Sequence, residues 1–279
     1  MAVDWTRGYR ATWRIVRLDD TWAPVGALRG VDSASVNRTR GGLLEEAALN
    51  VSIPLGQEPE PGWHRIEMTA TQGTSSDLVQ VATLWLEPDG STISRGAGQW
   101  TLTGQSTVAP AQWPGSELPD GSYARKNSDG AAEVARLVGR RTPAPVVAMG
   151  SFRLRDAVVY DLSSTELDAA WQVLEAGGWC MQVDGDGSVH VMPMPTEPVR
   201  RINLAALGAT MTDQTDDSGL RRRCWSYARE WWPGIHPYSL LEAVTAPGEP
   251  ARLMRVDTQA LTLGRGIVVQ ETAVELEAA

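Results

Sequence analysis

Three histidines and two cysteines are the residues of this chain best able to do chemistry, and their spacing decides what that chemistry could be. His64, His190 and His236 lie far apart in sequence, with no cysteine or carboxylate at ligand spacing beside them. A bound metal needs several ligands converging on one point, so this set predicts no metal centre. His190 stands between Val189 and Val191 in a strand-like run, which turns it to the opposite face from that apolar pair. The segment Asp184-Gly185-Asp186-Gly187 invites a calcium reading. An EF-hand loop needs glycine at its sixth position and glutamate at its twelfth; counted from Asp184, those places hold Val189 and Pro195. Asp-Gly is instead a favoured two-residue hairpin turn.

Nucleophilic catalysis fares no better. The chain has no Gly-x-Ser-x-Gly elbow, no Walker loop and no Gly-x-Gly-x-x-Gly between a strand and a helix. A nucleophilic triad needs a histidine for proton transfer, and none of the three sits in a suggestive context. The paired carboxylates Glu45-Glu46 and Asp216-Asp217 read as solvated loop charges, which would face opposite ways in a strand. Cys180 falls in an apolar strand pattern and reads as a buried thiol; the pattern neither demands nor forbids a bridge to Cys224. No catalytic, metal-binding or cofactor-binding residue is assigned, and no cofactor is expected.

The aromatic content is lopsided, with 12 Trp against 5 Tyr and 1 Phe. Tryptophan is bulky and amphipathic, and it concentrates where surfaces meet. Trp5, Trp113, Trp225, Trp231 and Trp232 are the candidate interface anchors. The net charge of −9 argues against general attraction to nucleic acid, which needs a concentrated basic surface. Arg221, Arg222 and Arg223 follow Asp213, Asp216 and Asp217, a mixture that suggests a solvated or interfacial salt-bridge patch.

The elements that would position these residues are mostly strands. Up to about residue 113 the chain alternates apolar and polar residues between regularly spaced turns, the mark of an antiparallel barrel or sandwich. Arg10–Leu18 is a strand, and in Ala48–Ile53 the residues Leu49, Val51 and Ile53 share a face. Trp63–Thr71 and Leu78–Glu87 follow, the latter closed by a Pro88-Asp89-Gly90 turn, and in Gln99–Thr103 Trp100 and Leu102 face together. The Pro-, Gly- and Ser-rich stretch from 110 to 128 reads as a linker or long loop. A helix over 131–141 carries Val134, Leu137 and Val138 on one stripe, with Ser128 or Asp129 as N-cap. A strand is expected from Phe152 to Val159. Ser163 and Glu166 match a capping box, Leu167, Ala170, Trp171 and Leu174 form a helical stripe, and Gly177-Gly178 ends the helix. Trp179 to Val183 and Val189 to Val191 flank the Asp-Gly turn. The tail returns to strands, chiefly Arg222–Glu230 and Ile267–Leu276, with a turn at Gly264 and Gly266. The expectation is a mainly β fold with an α+β insertion: a β-barrel or sandwich unit over 1–113, a helix-on-hairpin unit over 114–200, and a C-terminal β unit over 201–279 packing with the first. The start, Met1-Ala2-Val3-Asp4-Trp5, lacks a basic segment followed by an apolar run, and no apolar stretch is long enough to span a membrane. The chain is thus expected to be made in, and at first to remain in, a cytoplasm.

The run from Ser163 through Trp171, Gly177-Gly178-Trp179 and Val183-Asp184-Gly185-Asp186-Gly187-Ser188-Val189 resembles the second domain of phage tail hub proteins, including the following Pro193 and Pro195. The opening is similar too: Val31-Asp32-Ser33-Ala34-Ser35-Val36, a turn, then Leu43 to Pro54 as a paired strand. The resemblance covers most of the chain. It implies a homotrimeric ring at the distal end of a tail tube, with two related β units per subunit giving pseudo-sixfold symmetry. Implied partners are the distal tail protein, the tape-measure protein and tail fibre or tip proteins, with DNA passing through the lumen. The location implied is the virion tail tip, after assembly in the host cytoplasm. An acidic lumen would let DNA slide instead of stick. The sequence departs from the family in ending at Ala279, before the long C-terminal extensions of many hubs, and in a short second β unit. Two alternatives stand beside this reading: a hexameric distal tail ring, and a virion-associated carbohydrate-binding or carbohydrate-degrading β protein.

Overall fold

A computed structural model describes residues 2–5, 7–54, 59–94, 97–215, 221–264 and 266–276. The first strands are β1 (Arg10–Leu18), β2 (Pro24–Ala27), β3 (Val31–Thr39), β4 (Glu45–Pro54), β5 (Gly62–Gln72), β6 (Ser75–Ser94) and β7 (Ala97–Ser106). Then come β8 (Tyr123–Ala124), α1 (Gly130–Gly139), β9 (Val146–Ala148), β10 (Val158–Val159), α2 (Glu166–Gly177), β11 (Trp179–Val183) and β12 (Val189–Pro193). The chain finishes with β13 (Pro198–Asn203), β14 (Thr210–Thr215), β15 (Arg221–Glu230), β16 (Leu240–Val244), β17 (Arg252–Leu263) and β18 (Ile267–Glu275). The fold is mainly β with an α+β insertion.

Period-two patterning does most of the local work. In β4 the buried residues Ala47, Leu49, Val51 and Ile53 alternate with exposed or half-buried ones. β1 and β18 alternate in the same way over much of their length, each with a pair of consecutive buried residues. One expected punctuation mark falls elsewhere. Pro88-Asp89-Gly90 does not end a strand: β6 continues through it, and the pairing with β7 shifts between Pro88 and Gly90. A bulge absorbs the extra residue there, so the turn residues bend the strand without terminating it. The stretch from 110 to 128 is a mostly irregular long loop packed onto the protein, with Ala111, Ser116 and Ala124 buried.

One 13-stranded sheet holds both ends of the chain, in the order β14-β15-β18-β17-β3-β4-β7-β6-β5-β1-β2, with β16 on β17 and β13 on β16. β17 is the pivot. Its Thr258–Leu263 half pairs with β3, and its Arg252–Arg255 end pairs with β16. The β17–β18 hairpin therefore supplies two cores. Leu261, Leu263, Ile267 and Val269 join Ile15, Leu49, Met68 and Leu84 in the first. Met254, Val256 and Ala273 join Ile202, Tyr227 and Leu241 in the second. Trp13 Nε1 of β1 donates to Gly264 O between β17 and β18 at 2.8 Å, and Tyr9 Oη, just before β1, donates to Trp231 O, just after β15, at 2.5 Å.

The inserted unit has its own core, in which Val134, Leu137 and Val138 of α1 meet Leu167, Ala170 and Leu174 of α2 over Met181, Val183, Val189 and Val191. Asp129 caps α1, its side chain accepting from the Ala131 and Ala132 amides. The capping box of α2 is Thr165 with Asp168, two residues beyond the expected Ser163–Glu166 pair. Ser163 is left-handed at φ 61°, whereas Thr165 has the extended backbone that an N-cap needs. The expected strand from Phe152 to Val159 shrinks to Val158–Val159, held by Tyr123–Ala124.

The hairpin between β11 and β12 uses a longer loop than two residues, since the last strand pair is Val183 with Val189. The loop is a docking device. Thr83 Oγ1 donates to Gly185 O at 2.9 Å and Thr107 Oγ1 to Gly187 O at 2.8 Å, which seats the turn on β6 and the end of β7, inside the large sheet. A Cβ on Gly185 would stand 1.9 Å from Gln80 O. Gly185→Ala is therefore expected to destabilise the fold by about 1–3 kcal/mol, the usual cost of overpacking. Thermal unfolding checks this, and an unchanged melting temperature would mean the turn is not seated there.

Candidate assembly interface

The anchors expected from sequence occupy quite different places. Trp231 is 2% exposed and belongs to the first core. It meets Trp5 edge to face at a ring distance of 6.4 Å, and Trp5 meets Tyr9 at 5.0 Å. Trp231 is thus covered by this chain's own residues and has no face to offer a neighbour, while Trp5 is half-buried at the core's rim. Trp232, the next residue, points the other way. Its ring lies between two guanidiniums, with Arg200 Cζ at 4.2 Å and Arg229 Cζ at 4.4 Å from the centroid. Trp225 is half-buried against the C-terminal core.

Trp113 ends a row that sequence spacing does not reveal. Trp22, Trp63, Trp85 and Trp113 follow one another at ring distances of 5.5, 5.4 and 5.6 Å. The row is built by register: Trp63 sits opposite Trp85, and Trp85 opposite Gln105, whose Oε1 accepts from Trp113 Nε1 at 3.0 Å. Trp22 Nε1 donates to Pro143 O of the inserted unit at 3.1 Å. These four come from positions 22, 63, 85 and 113, so only the strand pairing could have brought them together.

A second cluster gathers where the three parts of the chain meet. Arg38 and Glu45 are 1% and 2% exposed, with Arg38 Nε donating to Glu45 Oε1 at 2.5 Å and Arg38 Nη2 to Val81 O. Glu45 is therefore not a solvated loop charge; it lies in β4 with its side chain turned inward, while Glu46 faces out. The companion pair Asp216-Asp217 lies outside the described residues. Burial pushes the Glu45 carboxyl up, and Arg38 opposes that. His236 is half-buried nearby, in a cavity lined also by Arg38, Glu45, Met181, Gln182 and Tyr238. From the inserted unit, His190 Nε2 stands 3.1 Å from Asp184 Oδ2, and Gln182 Nε2 donates to Pro237 O at 3.0 Å.

Burial, then the charges of Arg38 and His190, push the His236 imidazole from an ordinary 6.5 down to about 3. Between those values the unfolded chain binds a proton that the folded chain refuses, so stability falls as pH drops through that window. A His236→Gln variant is expected to lose less of its melting temperature on acidification from 6.5 than the parent; equal slopes would contradict this placement. The third histidine, His64, is buried on β5 with Nδ1 2.9 Å from Gly62 O. Both cysteines are free and buried. Among the described residues, no group of three His, Cys, Asp or Glu side chains could hold a metal ion, and no helix is long and apolar enough to cross a membrane.

The sheet also has free edges. Among the described residues, β2 pairs only with β1, β14 only with β15 and β13 only with β16. β2 has four residues beginning with Pro24, two features that discourage further pairing. β14, Thr-Met-Thr-Asp-Gln-Thr, has six residues without proline or lysine, and Met211 is 46% exposed. Such an edge can accept another strand.

No protein-family model and no curated protein matches the sequence. Solved structures do match in fold. A tail protein from Neisseria meningitidis aligns with a TM-score of 0.65 at 10% identity, covering 97% of this chain and 97% of its own. A 43 kDa tail protein of prophage MuSo2 from Shewanella oneidensis aligns with a TM-score of 0.61 at 10% identity, covering 94% and 97%. The prophage tail protein gp18 from Listeria monocytogenes aligns with a TM-score of 0.59 at 7% identity, covering 95% of each chain. The shared fold thus runs through both β regions and the insertion.

Proposed function

We propose that this chain is a structural subunit of a phage tail tip: a hub that forms a homotrimeric ring at the distal end of the tail tube. The observation that carries the reading is the near end-to-end match with three phage or bacterial tail proteins, each covered over at least 95% of its own length. A ring subunit needs pairing-competent edges and a rigid frame. β14 is such an edge, and the shared β17–β18 hairpin with the seated Gly185 turn supplies the frame. The proposed neighbours are the distal tail protein, the tape-measure protein and fibre or tip proteins, with DNA moving through an acidic lumen. The chain has no catalytic role in this reading.

The carbohydrate alternative is less well supported. A sugar platform needs an open, flat ring face, whereas Trp63, Trp85 and Trp113 meet their neighbours at 72° and 67° and pack on one another. Gold-labelled antibody against the chain, applied to virions that contain it, tests the location. Label at the free end of the tail is expected; label on the capsid or along the whole tube would exclude a tail-tip role.

A further inference from the structure

Trp22, Trp63, Trp85 and Trp113 are each half-buried along their row. The end members have their N–H groups engaged, Trp22 with Pro143 O and Trp113 with Gln105 Oε1. The two central members do not. Among the described residues the Nε1 groups of Trp63 and Trp85 meet no acceptor, and they are not sealed in the interior as those of Trp225 and Trp231 are. Trp63, Trp85 and Trp113 stand at 72° and 67° to one another, which leaves notches between rings in place of one flat platform. Notches with spare N–H donors suit a polyproline II segment, whose rings enter the notches and whose carbonyls, having no internal partners, accept the N–H groups.

The chain carries such a segment. Pro193-Met194-Pro195-Thr196-Glu197-Pro198 leads from β12 to β13, with Pro195 and Pro198 at the P-x-x-P spacing. Pro193, Thr196, Glu197 and Pro198 are exposed. Residues 194–197 belong to no strand, and among the described residues their carbonyls accept no hydrogen bond. A residue before proline is held out of the helical region, so Met194 and Glu197 keep the run extended and leave little entropy to lose on docking. Six residues of polyproline II extend about 19 Å, enough to follow rings spaced 5.4 to 5.6 Å apart. In the sheet order six steps separate β6, which carries Trp85, from β13, which the run enters. The run of one copy is therefore placed to meet the row of another.

We propose that the proline run at residues 193–198 of one copy docks on the tryptophan row of the next copy. The contact is heterologous, since it joins two different surfaces of the same chain, and contacts of that kind close into rings. The inference rests on the self-assembly proposed above and names the two surfaces that make it.

Two single variants of the full chain test the contact: Glu87→Cys, exposed two residues from Trp85 on the same face of β6, and Thr196→Cys in the run. Both native cysteines are buried. The variants are mixed in equal amounts, at a concentration where light scattering shows self-association, and treated with a short bismaleimide. The contact predicts a cross-linked pair holding one of each, at least ~5-fold more abundant than either variant linked to itself. Trp85→Phe, which keeps a ring and removes the N–H, and Pro198→Ala, on an exposed residue, should each weaken self-association at least ~3-fold. Leu162→Ala, exposed elsewhere on the inserted unit, should leave it unchanged. If Trp85→Phe fails to fold, Pro198→Ala decides. Self-association without the mixed cross-link, or indifferent to both variants, would overturn the docking and leave the ring standing. A chain that stays single at every concentration would overturn both.

Discussion

Replacing Glu45 with glutamine is expected to cost the protein about 3–5 kcal/mol, a large share of a typical domain's stability. The reason is what it leaves behind. Arg38 is 1% exposed and its charge is answered by Glu45; Val81 O takes one further N–H, and Nη1 is buried with no partner. Without the carboxylate a guanidinium remains uncompensated inside the protein. The same logic predicts that removing both members, as in Arg38→Met with Glu45→Leu, is nearly neutral or stabilising, because the desolvation of two charges then disappears. Denaturant midpoints of the parent, the single variant and the double variant separate these cases. A loss under about 1 kcal/mol in the single variant would mean that water reaches the pair.

The adjacent tryptophans give the second large effect. Trp231→Ala removes a fully enclosed indole from the first core and should cost about 3–5 kcal/mol in the isolated chain. Trp232→Ala removes a ring held between Arg200 and Arg229 at the margin of the C-terminal core, and should cost nearer 1 kcal/mol. The contrast separates a core role from an interface role. An interface anchor would affect assembly while sparing the monomer, whereas Trp231→Ala should lower the stability of the single chain itself. A Trp231→Ala chain that melts like the parent yet fails to self-associate would contradict the burial seen here.

How far sequence reading reached follows from which forces act locally. Leu49, Val51 and Ile53 alternate because a strand with one buried face must, and that pattern is visible without any partner strand. The α2 stripe and its Gly178 terminus, at φ 66°, are equally local. The capping box was misplaced by two residues because several Ser, Thr and acidic side chains compete there, and only the left-handed Ser163 decides among them. Pro88-Asp89-Gly90 has turn chemistry, but β7 pairs on both sides of it, and long-range pairing prevails. The surroundings of the tryptophans lie beyond local pattern. Nothing in the adjacent letters Trp231 and Trp232 says that one enters a core and the other lies between arginines. The Trp22–Trp113 row and the Arg38–Glu45 pair exist only through strand register and strand facing, which the sequence does not display. The arginine run was visible as a charged patch; its convergence with Arg255 from β17 was not.

The central claim is that this chain assembles into a ring of three. Light scattering of the native protein across a rising concentration series tests it most directly. A homotrimeric ring gives a mass that approaches three times that of the chain. A mass that settles at six chains would move the protein to a hexameric tail ring, and a single-chain mass that never rises would contradict self-assembly outright.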